Sequence, residues 1–80
     1  MIKIDDLINL IENALELDES NNKIDLNSSS ENIEEWDSLG HLSIISALDK
    51  FTEGKTADID FTDSNSVNKI IAQLKKNKLF

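Results

Sequence analysis

The sequence predicts an all-α protein: a bundle of three principal helices plus one short helix, with a long loop between the first and second helices. Apolar residues recur at helical spacing in three segments, and no segment alternates between apolar and polar residues as a half-buried strand would. The second and last of these segments also begin at Asp or Ser residues suited to N-capping. Eighty residues are enough for one domain, residues 1–80.

The first helix is predicted over residues 4–17, about four turns in length. Its apolar stripe consists of Ile4, Leu7, Ile8, Ile11, Ala14 and Leu15, widened by Leu10 and Leu17. The mainly polar residues 18–37 then predict a long connection. Within it, Ser28 and Glu31 have the spacing of a capping box, which predicts one short helical turn before Trp36. We expect Trp36 to pack between this loop and the bundle.

The second helix is predicted to start at Asp37 or Ser38 and to run to about Thr52, with Gly54 as its C-cap. At 100° per residue, its larger apolar side chains cover a broad arc, which predicts packing on more than one neighbour. These are Leu42, Ile44, Ile45, Leu48 and Phe51. Leu39 falls outside the arc, so we predict that it is exposed.

A short helix of one or two turns is predicted within residues 57–63, with Ile59 and Phe61 pointing inward. The last helix follows, capped by Ser64 or Ser66. Its stripe is Val67, Ile70, Ile71 and Leu74, and lysines close it.

The composition excludes several classes of function. Sixteen acidic residues against eight lysines give a net charge of −8, which repels nucleic acid and anionic lipids and favours protein partners with basic surfaces. Without cysteine there is no disulfide, thiolate zinc site or thiol nucleophile, and the small size argues against an ordinary enzyme. Acidic residues interrupt the apolar N-terminal stretch, so we expect no signal peptide or membrane span. The expectation is a cytoplasmic monomer.

Two chemical interpretations of residue types are weak. Counting an EF-hand loop from Asp58 places Asp63 at the sixth position and Lys69 at the twelfth, which predicts no calcium site and no other metal. Asp37, Ser38 and His41 are the residue types of a hydrolase triad, but they would share one helical turn, without a second segment for an oxyanion hole. We expect His41 to be partly buried among apolar neighbours.

The segment EEWDSLGHL, residues 34–42, opens the second helix after a long loop, and a short helix and a Ser-Val-x-x-Ile start to the last helix follow. In this order of elements the whole chain resembles an acyl carrier protein of the stand-alone type. The resemblance implies an acyl-carrier-like bundle and a non-catalytic protein. It also implies that a phosphopantetheinyl transferase attaches 4′-phosphopantetheine from coenzyme A to Ser38. The absence of cysteine agrees with a thiol imported on a cofactor.

The resemblance further implies an acyl or aminoacyl cargo, carried as a thioester on the arm. Partners would be an acyl- or aminoacyl-loading ligase and a downstream acyltransferase or synthase. Asp37 would cap the helix and shape the transferase site, and the docking residues would be Leu39, Glu34, Glu35, Asp49 and Glu53.

The second helix departs from the pattern of fatty-acid carriers, because Asp49 is its only acidic residue where several are typical. We therefore expect a specialised biosynthetic pathway rather than bulk fatty-acid synthesis. Two alternatives remain open. The first is a non-catalytic acidic interaction module that has lost the attachment role, in which Asp37 or Ser38 is merely an N-cap. A hydrolase built on Ser38 and His41 is the second.

Overall fold

The computed structural model describes residues 2–17 and 24–80, and within them the chain folds into three α-helices. Helix α1 is Ile4–Ala14, α2 is Ser38–Phe51 and α3 is Val67–Lys76. These residues form no strand, only an isolated antiparallel bridge between Ser29 and Ser66. The predicted all-α class is confirmed.

Helix α1 is shorter than the predicted four turns. It has 11 residues, and the backbone has left the helix by Glu16, whose φ is 56°. Leu7 and Ile11 are fully buried, as the stripe predicts, whereas Ile4 remains 42% exposed. Leu15 lies beyond the helix yet is buried. The apolar stripe overestimates the helix because Leu15 reaches the core from the following turn.

Helix α2 packs on the core through a narrower face than its apolar arc suggests. Ile44 and Leu48 are fully buried. Leu39 is 75% exposed, which confirms the prediction for this residue. Leu42 and Phe51 were predicted within the packed arc but are 60% and 50% exposed. The apolar arc is therefore wider than the surface that the rest of the fold covers.

Helix α3 begins after Ser66, whose hydroxyl oxygen accepts a hydrogen bond from the backbone N–H of Lys69 at 3.2 Å. Of the two predicted caps, Ser66 is therefore the one used, and Ser64 is buried. The predicted stripe is confirmed, since all four of its residues are buried: Val67, Ile70, Ile71 and Leu74. Lys75 and Lys76 lie in the last turn, where the helix dipole favours positive charge.

The connection from α1 to α2 is described from residue 24 onward, and its predicted beginning, residues 18–23, lies outside the described residues. The predicted capping box is wrong. The Ser28 hydroxyl oxygen accepts instead from the backbone N–H of Asp25 at 2.9 Å, and the N–H of Glu31 donates to the Ser29 hydroxyl at 3.2 Å. One helical hydrogen bond does form, from Ile33 N–H to the Ser29 carbonyl at 2.9 Å.

The connection from α2 to α3 consists of turns in place of the predicted short helix. It starts after Thr52, which is the C-cap of α2 in place of the predicted Gly54, and Gly54 lies two residues further along with φ 87°. The Asp60 carboxylate accepts from the backbone N–H of Thr62 at 2.9 Å, a local turn that competes with helical hydrogen bonding. Ile59 is half-buried and Phe61 is 2% exposed, so both point inward as predicted.

The core lies between the three helices and receives side chains from both connections. Its buried apolar residues are Ile2, Leu7, Ile11, Leu15, Ile24, Trp36, Ile44, Leu48, Phe61, Val67, Ile70, Ile71 and Leu74. The backbone N–H of Ile2 donates to the Leu79 carbonyl at 2.9 Å, which joins the two ends of the described chain. In this part of the chain, no helix combines the length and the apolar character that a membrane crossing requires.

Candidate functional site

Ser38 is the first residue of α2, and its side chain is exposed. Asp37 is the N-cap: its carboxylate accepts from the backbone N–H of Gly40 at 2.8 Å, and its carbonyl accepts from that of His41 at 2.8 Å. Asp37 is therefore the cap, and it is one of the two residues predicted for this role. The Ser38 hydroxyl is not used in capping. An exposed hydroxyl at this position can be reached by another protein.

Gly40 lies where the backbone before α2 crosses the helix. A Cβ atom at this position would collide with the carbonyl oxygen of Glu35 and would lie 2.8 Å from Leu15 Cδ2. Only glycine lets the connection pass so close to the helix. Sequence reasoning used Gly40 as part of a motif and missed this packing role, which depends on a contact between backbone segments.

Trp36, His41 and Phe61 are linked by two hydrogen bonds. The Trp36 indole Nε1–H donates to His41 Nδ1 at 3.0 Å, and His41 Nε2 lies 2.8 Å from the Phe61 carbonyl oxygen. An indole nitrogen can only donate, so Nδ1 accepts and Nε2 carries the proton that is donated to Phe61. The imidazole is therefore assigned as neutral, with both nitrogens in use. We name this arrangement the His41 link.

The hydrogen bonds of the His41 link show whether Asp37, Ser38 and His41 are connected as a hydrolase triad would be. Trp36 is 2% exposed and fills the space between loop and bundle, and His41 is half-buried, both as predicted. Neither imidazole nitrogen is bonded to Asp37 or Ser38, and the Asp37 carboxylate bonds to Gly40. The three residues do not form the hydrogen-bond chain of a hydrolase triad.

A groove of about 540 Å³ opens beside Ser38, between the start of α2 and the two connections. Its lining residues are Ser30, Trp36, Asp37, Ser38, His41, Leu42, Ile45, Thr62 and Asn65. The helix contributes the apolar side chains of Leu42 and Ile45 beside Ser38 and His41, and the connections contribute Trp36, Asp37 and three residues with hydroxyl or amide groups. Apolar surface and hydrogen-bonding groups therefore line the same groove.

The predicted docking residues are all exposed but lie in two places. Leu39, Glu34 and Glu35 flank Ser38 in the chain. Asp49 lies near the other end of α2, about 16 Å along the helix axis at 1.5 Å per residue, and Glu53 follows the helix. The structure therefore groups three of the five residues with Ser38.

No cation site is evident in the part of the chain that the structure describes. No group of three or more His, Cys, Asp or Glu side chains there could hold a metal ion. The acidic residues of the connection before α3 include Asp60, whose pKa is lowered by hydrogen bonds from the side chain and the backbone of Thr62. The Asp60 carboxylate therefore stabilises a local turn through its hydrogen bonds with Thr62.

No protein-family model matches the chain, and neither a curated protein nor a solved structure is significantly similar to it. The interpretation of the site therefore depends on its own residues and geometry.

Proposed function

We propose that this protein is a non-catalytic cytoplasmic acyl carrier that holds an acyl or aminoacyl group on a 4′-phosphopantetheine arm attached to Ser38. The observation that carries the proposal is the placement of one exposed serine. Ser38 opens α2, is relieved of capping by Asp37, precedes the 75% exposed Leu39 and borders the groove. A helix start is also a favourable environment for an added phosphodiester, because the helix dipole is positive there.

The residues present fit such a group. The Ser38 side chain is accessible for attachment, and the groove beside it offers apolar surface from Leu42 and Ile45 and polar groups from Thr62 and Asn65. The group supplies a terminal thiol on which a carboxylic acid can be carried as a thioester, which this cysteine-free chain cannot do by itself. The chain's part is to present the hydroxyl and to offer a surface along which the arm can lie.

The attachment is a phosphoryl transfer carried out by a separate transferase. The Ser38 oxygen forms a bond to the phosphorus that bears pantetheine, and the bond from that phosphorus to the bridging oxygen of the coenzyme A pyrophosphate breaks. The serine proton leaves, and adenosine 3′,5′-bisphosphate is released. The further partners proposed are an acyl- or aminoacyl-loading ligase and a downstream acyltransferase or synthase. With Asp49 as the only acid within α2, we place this carrier in a specialised pathway.

The test is the intact mass of the protein after incubation with coenzyme A, magnesium and a broad-specificity phosphopantetheinyl transferase. We expect a gain of one phosphopantetheine in the wild type. Ser38→Ala should gain nothing. Ser43→Ala, which changes another exposed serine of α2, is the matched control and should be modified like the wild type.

Failure of the folded wild type to gain mass, beside a known carrier that does so in the same reaction, would contradict the proposal. The acidic interaction module would then be the better interpretation. Hydrolysis of an activated ester that disappears in His41→Ala would favour the hydrolase instead.

A further inference from the structure

We propose that His41 is a positioning residue for the modification of Ser38. Its imidazole holds the start of α2 in a fixed place relative to both walls of the groove. This inference rests on the proposed function, because it concerns the rate at which a transferase modifies Ser38. It adds a role for a side chain that does not itself react.

The first support is the place of the His41 link in the fold. His41 lies on α2 one turn after Ser38, Trp36 belongs to the connection before α2, and Phe61 belongs to the connection before α3. One side chain thus bonds to both connections through its two nitrogens. Trp36 and His41 themselves line the groove, and Thr62, next to Phe61, lies on its other wall.

The second support is the chemistry of a half-buried imidazole. Burying a polar ring has a free-energy cost unless its nitrogens are hydrogen-bonded, so an apolar side chain would fill the same space at lower cost. Here both nitrogens have partners within the ordinary range of hydrogen-bond lengths, at 3.0 and 2.8 Å, and the ring planes of Trp36 and His41 differ by only 21°. The His41 side chain therefore fixes the orientation of the groups that it bonds to, in addition to filling space.

The third support is that the two connections are already joined to each other without α2. The backbone N–H of Ser30 donates to the Asn65 carbonyl at 2.9 Å, and that of Val67, the first residue of α3, donates to the Ser28 carbonyl at 3.0 Å. These bonds make the walls of the groove one unit. Besides the chain itself and the contact of Gly40 with Glu35, the His41 link connects that unit to the helix turn that carries Ser38, and its bond to Phe61 reaches the connection before α3.

A transferase that binds at the groove and brings the phosphorus of coenzyme A to the Ser38 hydroxyl needs the groove and the hydroxyl in one arrangement, and small misplacements of a reacting group lower rates strongly. Loss of the link should therefore lower kcat for the transfer, with a smaller effect on KM. We expect about a tenfold lower kcat for His41→Ala, the size of effect that one or two net hydrogen bonds can produce.

The experiment measures kcat and KM of the transfer for the full chain at a temperature where every variant is folded. His41→Asn keeps an acceptor near the position of Nδ1, and His41→Gln keeps a donor near the position of Nε2. Each of these two variants should have a kcat between that of His41→Ala and that of the wild type. Trp36→Phe removes the indole donor and should also lower kcat, as His41→Ala does.

Thr52→Ala is the control for a general loss of stability. Thr52 is buried near the far end of α2, where its hydroxyl donates to the Leu48 carbonyl at 2.8 Å. It should lower the free energy of unfolding and leave kcat unchanged. Near-ultraviolet circular dichroism of Trp36, the only tryptophan in a chain without tyrosine, reports the link directly.

The proposal is overturned if folded His41→Ala is modified with a kcat within twofold of the wild type. It is also overturned if Thr52→Ala loses as much kcat as His41→Ala, because the effect would then be one of stability alone. If His41→Ala does not fold, folded Trp36→Phe, which lacks the indole donor of the link, decides by the same criteria. Failure of the proposed function would look different, since the wild type itself would then gain no phosphopantetheine.

Discussion

The Asp37 carboxylate oxygen lies 2.8 Å from the backbone nitrogen of Gly40 and accepts its hydrogen bond, which makes Asp37 the cap of α2. The residue that caps the helix and the residue proposed for modification are thus consecutive. With this division, the proposed modification of Ser38 would leave the cap of α2 in place.

The division predicts different stabilities for two neighbouring variants. Asp37→Ala should lower the free energy of unfolding by about 1 kcal/mol, because it removes the cap, and Asp37→Asn should stay close to the wild type. Ser38→Ala should stay within about 0.5 kcal/mol of it. Urea unfolding followed by far-ultraviolet circular dichroism measures all three. Equal losses in Asp37→Ala and Ser38→Ala would show that the serine shares the capping role.

Gly40→Ala should destabilise the fold by about 1–3 kcal/mol, because the new methyl group collides with the Glu35 carbonyl. It should also slow modification of Ser38. Gly54→Ala is the matched comparison: nothing lies within 4 Å of its added Cβ, but its φ of 87° strains alanine by about 1–2 kcal/mol. Denaturation and transfer rates together test this. If Gly54→Ala slowed the transfer as much as Gly40→Ala, the loop contact would not be the cause.

Leu39→Ala should leave the free energy of unfolding within about 0.5 kcal/mol of the wild type, because the side chain is 75% exposed. Leu48→Ala, at a fully buried position of the same helix, should cost about 2–5 kcal/mol. For function, we expect the exposed residue to matter more than its small effect on stability indicates. Leu39→Ala should raise KM for the transferase, as expected for a lost docking contact. A normal KM in Leu39→Ala would remove this residue from the docking surface.

The Asp60 carboxyl should titrate below its ordinary pKa, and Thr62→Val should raise that pKa part of the way back, because the backbone N–H of Thr62 still donates. A carboxyl whose pKa is lower in the folded state stabilises the fold above its unfolded pKa, and this contribution is lost as pH falls through the folded pKa. Carboxyl carbon chemical shifts from pH 2 to 6 follow the group.

Thr56→Val, a change at a buried position outside this turn, is the control and should not move the Asp60 titration. An unchanged Asp60 pKa in Thr62→Val would show that the hydroxyl is not the main cause of the shift.

Periodicity was sufficient to predict the features of the fold that follow from one helix at a time. It predicts the exposure of Leu39, the burial of Ile44 and Leu48, and the stripe of α3. It overestimates α1 because Leu15 is apolar but reaches the core from a turn, where φ at the next residue is already positive. A stripe shows which residues are apolar at helical spacing, not whether the backbone that carries them is helical.

Features of the site that depend on contacts between segments could not be predicted from residue types. Trp36 and His41 were each assigned to the correct environment, but their hydrogen bond to one another and the bond to Phe61 require the path of two connections. The failure at Ser28 has a local origin, since Asp25, three residues earlier, bonds to the hydroxyl that a capping box would use. Local sequence patterns do not state which of several nearby partners a polar group selects.

The Ser29–Ser66 bridge joins residues that are far apart in the chain, so its formation must overcome a loop-closure entropy that no single helix meets. Helical turns form within about a microsecond, whereas pairing of distant segments is slower. During folding, the first turn of α2 can therefore form before the groove does. A transferase of the proposed kind that requires both would act only on chains that have completed folding.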